Sequence, residues 1–218
     1  MSEKKQYKAI LFDMDGVLID SEELMAKSGI LALADYGITA KAEDFIPFVG
    51  RGENLYIGGV AEKYGVPFRP EMKERCYYYY GLHVEQEAVI PKEIPELLYT
   101  IKNMGYKIAV CTSADWGKVK HNLRAMGVEK ELFDGLVTGD HIKNLKPDPE
   151  IYLTGAALVG AEPSECIVVE DSPSGIKAAH AGNMLAIGID TSFSEEDLIA
   201  QSHPDVMIHH LRDLLLYL

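Results

Sequence analysis

The sequence predicts an α/β protein, a Rossmann-like parallel β-sheet flanked by helices, with an all-helical domain inserted after the first strand. Short apolar runs rich in β-branched residues alternate with helical patterns over residues 93–218, which is typical of a parallel sheet with crossover helices. Residues 21–92 instead show helical periodicity interrupted by glycines and no convincing strand. We therefore expect an α/β core formed by residues 1–20 and 93–218, and an inserted helical domain over residues 21–92.

The predicted elements follow one another at spacings that suit such a core. The strands are the runs KAILF, YKIAVCT, GLVTG, CIVVED, LAIGID and DVMIHH, in chain order. Further helices are expected to begin at Pro149 and near Pro173, because proline suits the first helical turn. Two helices between the strands are predicted by apolar residues three and four apart, namely Ile94, Leu97, Leu98 and Ile101 in one, and Trp116, Val119, Leu123 and Met126 in the other. The second should have Asp115 as its N-cap and Gly127 as its C-terminal stop.

Composition excludes several classes of protein. The 218 residues are 47% hydrophobic and carry a formal net charge of −13, which argues against nucleic-acid or anionic-membrane partners. The polar start MSEKKQYK lacks the apolar core of a signal peptide, and no run approaches the length of a membrane span. Three widely spaced cysteines, Cys76, Cys111 and Cys166, favour buried free thiols over disulfides or zinc ligation. We expect a cytoplasmic protein, monomeric or weakly dimeric.

Polar side chains stand at or just after the ends of several predicted strands, where open parallel sheets bind their ligands. Asp13 and Asp15 follow the first strand, Thr112 and Ser113 close the second, Lys146 comes after the third, and the pair Glu170–Asp171 ends the fourth. Carboxylates placed so close together repel one another unless a cation shares the site. A hard divalent ion with oxygen ligands, Mg²⁺ first, is the simplest resolution. With a lysine and a hydroxyl nearby, the pocket should bind a phosphate-like oxyanion.

Four segments in this order, DMDGVLIDSE, VCTSA, KPDPEIY and VVEDSPSGIKAA, resemble the motifs of the haloacid dehalogenase superfamily. The resemblance spans nearly the whole core. More narrowly, the chain is similar to the phosphatase and phosphomutase branch that includes β-phosphoglucomutase, whose members carry a helical cap between the first and second motifs. One DxD pair would be weak support, but ordered motifs at strand ends are specific.

The resemblance implies a role for each carboxylate of the opening motif. Asp13 would attack phosphorus and form an aspartyl-phosphate, while Asp15 would act first as general acid toward the leaving oxygen and then as general base for water. The implied magnesium ligands are the carboxylates of Asp13 and Asp171, the backbone carbonyl of Asp15 and, directly or through water, Glu170. The structural alternative, a strand end rich in turn formers, does not account for the other three motifs.

The remaining candidate residues would bind substrate. By the same resemblance, Thr112 and Lys146 would hold phosphoryl oxygens, although alone they could be an ordinary strand threonine and a surface lysine. Ser113 is a further substrate-binding candidate. Arg51, in the inserted segment, could reach a substrate anion or could simply be a solvated surface residue.

Three functions remain open from the sequence. The favoured one is a magnesium-dependent phosphatase acting on a small phosphomonoester such as a sugar or polyol phosphate. The second is a β-phosphoglucomutase-like phosphomutase, which is disfavoured because Met25 stands where those mutases have a histidine, and Glu53 stands nearest the position of their distal-phosphate arginine. The third, a non-catalytic binding module, is disfavoured because all four motifs are intact. Dehalogenation would not need Asp15 or a metal.

Overall fold

A computed structural model describes residues 7–49 and 52–218 and contains a six-stranded, fully parallel sheet. The strands are β1 (Ala9–Phe12), β2 (Lys107–Cys111), β3 (Gly135–Val137), β4 (Cys166–Glu170), β5 (Leu185–Ile189) and β6 (Val206–Ile208). Their order in the sheet is β3-β2-β1-β4-β5-β6. This arrangement confirms the predicted α/β fold class.

The first strand lies at the centre of the sheet. β1 pairs with β2 on one side and β4 on the other, so that Phe12 is in register with Val110 and Val169. All four β1 residues are fully buried, because helices cover both faces of a parallel sheet and every strand position must then be apolar. The three strands therefore deliver the residues that follow them to one edge of the sheet.

Eight α-helices accompany the sheet in the described residues. Those that follow the inserted segment are α4 (Ile94–Asn103), α5 (Trp116–Met126), α6 (Glu150–Val159), α7 (Pro173–Ala181) and α8 (Glu195–Ser202), and those within it are α1 (Glu22–Ala34), α2 (Glu53–Lys63) and α3 (Pro70–Glu87). No strand occurs among the described residues of 21–92, in agreement with the helical pattern. None of the helices described is both long and apolar enough to cross a bilayer.

The predicted ends of α5 are correct in position but not in every contact. Gly127 ends the helix with a φ of 68°, the left-handed conformation that glycine adopts readily. Asp115 is the N-cap residue, as predicted, but its side chain makes no capping hydrogen bond. Asp140 Oδ2 instead accepts from the Trp116 N–H at 2.7 Å. A cap supplied from a distant loop leaves no local sequence signal.

Helix α3 of the inserted segment packs along α5 of the α/β core. Tyr80 Oη donates to Asn122 Oδ1 at 2.5 Å in the buried part of this contact. Lys73 Nζ lies 2.5 Å from Asp115 Oδ2, which is the carboxylate that does not cap α5. The three cysteines are buried and form no disulfide, as expected.

Candidate active site

The site begins where β1 ends in a tight turn. The Asp13 N–H donates to the Val169 carbonyl at 3.0 Å, which extends the parallel pairing by one residue and leaves the Asp13 side chain buried. Gly16 follows with a φ of 79°, and a Cβ there would lie 1.8 Å from Asp171 Oδ2. Glycine is therefore required at this position so that Asp171 can approach the turn.

Lys146 joins the first and last motifs. Its ammonium group contacts Asp13 Oδ1 and lies 2.6 Å from Glu170 Oε1, with only 9% of its side chain exposed. Tyr152 Oη donates to the same Glu170 oxygen at 2.9 Å, and Ser172 N–H donates to the other at 2.8 Å. The loop lysine predicted from the sequence thus contacts both the residue that follows β1 and the last residue of β4.

Asp13, Glu170 and Asp171 form a compact carboxylate cluster. Each offers one oxygen within 4.8 Å of the others, and all three residues are buried. Burial raises the pKa of Asp13 to about 7, with Lys146 opposing and Glu170 adding to the shift. Burial, then Glu170 and Asp13, raise the pKa of Asp171 well above its ordinary value. Burial would also raise the pKa of Glu170, but Lys146 and the hydrogen bonds from Ser172 together outweigh burial and lower that pKa.

These shifts mean that two of the three carboxylates are costly to ionise in this arrangement. Three carboxylates beside one ammonium leave an excess negative charge, and every available ligand atom is a hard oxygen. Such a donor set suits a hard divalent cation, whose charge would remove the repulsion. The residues present therefore fit the metal that the sequence predicts.

A stability prediction follows from the raised pKa of Asp171. When folding raises the pKa of an acid, the folded protein loses stability as the pH rises. The loss begins near the pKa of the unfolded chain, about 3.9 for aspartate, and continues through the pKa of the folded state. In chelator at about pH 8, we expect Asp171→Asn to melt at a higher temperature than the wild type. At Mg²⁺ about a hundredfold above its Kd, the wild type should gain roughly 2.7 kcal/mol of stability and the variant far less. Equal Mg²⁺ stabilisation of both proteins in thermal melts would contradict a metal ligand at Asp171.

Thr112 and Ser113 line the same cavity as Asp13 and Lys146, which has a volume of about 790 Å³. Thr112 is buried, and its Oγ1 accepts from the Ala114 N–H at 3.1 Å, so that its hydroxyl proton remains available to a ligand. The candidate Arg51 lies outside the described residues, and its predicted contact with substrate stays a prediction.

Asp15 makes two contacts that sequence reasoning missed. Lys118 Nζ lies 2.8 Å from Asp15 Oδ1, and Ser21 Oγ donates to the same oxygen at 2.8 Å. Burial alone would lower the pKa of Lys118, but Asp15, Tyr80 and Glu53 together outweigh burial and raise that pKa. Lys118 lies in the first turn of α5, directly after the second motif, and this position was the available signal.

Residues of the inserted segment also line the cavity. Met25, Phe48, Glu53 and Tyr56 line it together with the motif residues. Burial raises the pKa of Glu53 to about 7, with Lys118 opposing and Asp15 adding to the shift. A ligand held at Lys146 would therefore share this cavity with side chains of the inserted segment.

Comparison with known proteins gives one consistent family. Residues 10–189 match the family of haloacid dehalogenase-like hydrolases. The chain is 32% identical over 227 residues to a phosphorylated carbohydrates phosphatase of Thermotoga maritima, which covers 95% of this chain and 100% of that protein. A crystal structure of a predicted phosphoglycolate phosphatase from Haemophilus somnus 129pt superposes with a TM-score of 0.81 at 25% identity, covering 99% of both chains.

A further relative is a much longer protein. The chain is 42% identical over 192 residues to Protein SUPPRESSOR OF QUENCHING 1, chloroplastic, of Arabidopsis thaliana. The match covers 86% of this chain but 18% of the plant protein. The present chain thus corresponds to a single part of that relative.

Proposed function

Because the chain belongs to the haloacid dehalogenase-like hydrolase family, we propose that it is a magnesium-dependent phosphatase that hydrolyses a small phosphomonoester through an aspartyl-phosphate. The observation that carries this proposal is the meeting of Asp13, Lys146, Glu170 and Asp171 at one edge of the sheet. A nucleophilic carboxylate beside a cation-binding cluster and an ammonium group suits phosphoryl transfer, which depends mainly on positioning and charge neutralisation.

The first half-reaction uses both aspartates of the opening motif. A carboxylate oxygen of Asp13 attacks phosphorus, the bond from phosphorus to the alcohol oxygen breaks, and that oxygen takes a proton from Asp15. Lys146 and the Thr112 hydroxyl hold phosphoryl oxygens during this step. The products are a free alcohol and the aspartyl-phosphate.

The second half-reaction restores the protein. Water attacks phosphorus, Asp15 takes the proton of that water, and Asp13 departs as a carboxylate with release of inorganic phosphate. Mg²⁺, held by Asp13, Asp171, the Asp15 backbone carbonyl and Glu170 directly or through water, would supply positive charge that neutralises the phosphoryl oxygens. Since Glu170 already contacts Lys146, Tyr152 and Ser172, we favour the water-mediated role for it.

We further propose that residues 21–92 act as a cap domain over a core of residues 1–20 and 93–218. Support comes from Phe48, Glu53 and Tyr56, which line the same cavity as the motif residues. A lid here would exclude water and contact the alcohol part of the substrate. A cytoplasmic location and a monomeric or weakly dimeric state remain predictions.

Glu53 favours hydrolysis over phosphomutase activity. A mutase must hold a second phosphate at the far end of its substrate, and Glu53 lies nearest the position of the arginine that does so in β-phosphoglucomutases. The Glu53 side chain lines the cavity, where its carboxylate would repel a second anion. A neutral sugar or polyol phosphate fits this wall better, and the carbohydrate phosphatase relative is consistent with it.

The test of the proposed function is an assay on sugar, polyol and hydroxyethyl phosphates, with Mg²⁺ or with chelator. We expect phosphate release that requires Mg²⁺ and no isomerised sugar phosphate. Isomerised hexose phosphate without phosphate release would support the mutase instead. No turnover of any phosphomonoester would reject both enzymes.

A specificity prediction concerns Glu53. Hydroxyethyl phosphate and phosphoglycolate differ chiefly in a neutral or anionic distal group, so their kcat/KM ratio measures repulsion of a second anion. At about pH 8, where Glu53 is ionised because its pKa is about 7, we expect the wild type to prefer hydroxyethyl phosphate and Glu53→Gln to reduce that preference roughly tenfold. An unchanged ratio, or a wild type that prefers phosphoglycolate, would show that Glu53 does not select against anions.

A further inference from the structure

Asp15 is held by one of its two carboxylate oxygens. Lys118 Nζ and Ser21 Oγ both lie 2.8 Å from Oδ1. Among hydrogen bonds between described residues, none ends on Asp15 Oδ2. With Oδ1 occupied by two donors, a proton carried by this carboxyl group must reside on Oδ2. The contacts of Lys118 and Ser21 with Oδ1 therefore leave Oδ2 as the oxygen that can donate or accept a proton.

The lysine that makes this contact is itself rigidly placed. Lys118 is only 5% exposed, although lysine is almost never fully buried without a partner. Its ammonium lies 5.7 Å from the centroid of the Tyr80 ring, and Tyr80 is fixed in turn by its 2.5 Å hydrogen bond to Asn122. Asn122 lies one turn after Lys118 on α5. Tyr80 of helix α3 in the inserted segment thus contacts Lys118 and limits its movement.

We propose that Lys118 is a positioning residue, which holds Asp15 Oδ1 so that Oδ2 faces the leaving oxygen of the substrate. This inference rests on the proposed function, because it assumes that Asp15 protonates the departing alcohol. Lys118 acts through Asp15, whereas Lys146 contacts the nucleophile and Glu170. The two buried lysines of the cavity therefore have separate roles. Lys118 orients the carboxyl group that transfers the proton, and Lys146 holds the phosphoryl group.

Leaving groups of different basicity test this assignment. An alkoxide leaving from hydroxyethyl phosphate needs a proton in the transition state, whereas the nitrophenolate leaving from p-nitrophenyl phosphate needs little help. We expect Lys118→Met to lower kcat/KM for hydroxyethyl phosphate by about 10²-fold and for p-nitrophenyl phosphate by less than about tenfold. Lys118→Arg, which keeps the donor, should recover most of the lost activity. Lys120→Met, at an exposed lysine of the same helix, should change neither value.

Asp15→Asn separates the failure of this inference from that of the proposed function. This variant should lower kcat/KM for hydroxyethyl phosphate by about 10² to 10⁴-fold, and again more than for p-nitrophenyl phosphate. Suppose that Asp15→Asn lowers kcat/KM more for hydroxyethyl phosphate than for p-nitrophenyl phosphate. If Lys118→Met then lowers kcat/KM equally for both substrates, or for neither, the positioning role of Lys118 is overturned and the general-acid role of Asp15 stands. Equal losses for Asp15→Asn would overturn the general-acid role and the inference with it.

A second variant keeps the test open if Lys118→Met does not fold. Ser21→Ala removes the other donor to Oδ1 without leaving a buried charge unpaired. We expect kcat/KM for hydroxyethyl phosphate to fall by about fivefold, which is less than in Lys118→Met, and kcat/KM for p-nitrophenyl phosphate to fall less still. Thermal melts of each variant report folding, and equal losses on both substrates in folded Ser21→Ala would overturn the idea that donors at Oδ1 orient Asp15.

Discussion

Asp13→Asn is expected to abolish turnover, with kcat falling by about 10⁵-fold, because the amide cannot act as the nucleophile toward phosphorus. Asparagine has nearly the same shape and can still accept a hydrogen bond from Lys146, so the fold should persist. Burial raises the pKa of Asp13 to about 7, which means that ionising this group costs stability above neutral pH. The substitution should therefore not lower the melting temperature in chelator at about pH 8.

Phosphate release from a sugar or polyol phosphate, measured with saturating Mg²⁺, checks this expectation. A melting curve and Mg²⁺ binding of the variant serve as controls for folding and for the remaining metal ligands. Retention of even about a hundredth of the wild-type kcat would mean that another group attacks phosphorus.

Lys146→Met should have the second largest effect on activity, a loss of about 10³-fold. The ammonium contacts Asp13 and Glu170 in a nearly buried position, so its removal leaves the carboxylate cluster without its lysine counter-charge. We also expect a lower melting temperature in chelator, because breaking a buried ion pair from one side costs about 3 to 5 kcal/mol. Added Mg²⁺ should reduce the difference in melting temperature between the wild type and Lys146→Met.

The matched control is Lys143→Met, which removes an exposed lysine three residues earlier in the same loop. It should alter neither kcat nor the melting temperature measurably. If Lys146→Met keeps wild-type kcat/KM, or if both lysines have equal effects, the phosphoryl-binding role is wrong.

The sheet and the placement of the motif residues could be predicted from the sequence because their signals are local. Each strand is a short apolar run, and polar residues end β1, β2 and β4 at the edge where parallel strands finish together. Helix α7 begins at Pro173 as predicted, and Ser172 caps it, with its Oγ accepting from the Gly175 N–H at 3.2 Å. Parallel pairing converts this linear order into proximity.

Contacts between distant segments were not predictable in the same way. A lysine in the first turn of a helix is ordinarily solvated. The position of Lys118 directly after the second motif places it near the site, but it does not indicate that Asp15 and Tyr80 are its partners. Asp115 occupies an N-cap position, yet its carboxylate pairs with Lys73 from the inserted segment while Asp140 caps the helix. In both cases a residue from the inserted segment or a remote loop decides the role of the side chain.

The central claim, that the phosphoryl group passes through Asp13, is tested most directly by trapping the intermediate. Wild-type protein mixed rapidly with substrate and Mg²⁺, then quenched in acid, should carry one phosphoryl group on the peptide that contains Asp13, as seen by mass spectrometry. Asp13→Asn treated in the same way should carry none. A phosphoryl group found on a different residue, or phosphate release by the wild type with no labelled protein at any quench time, would contradict the account.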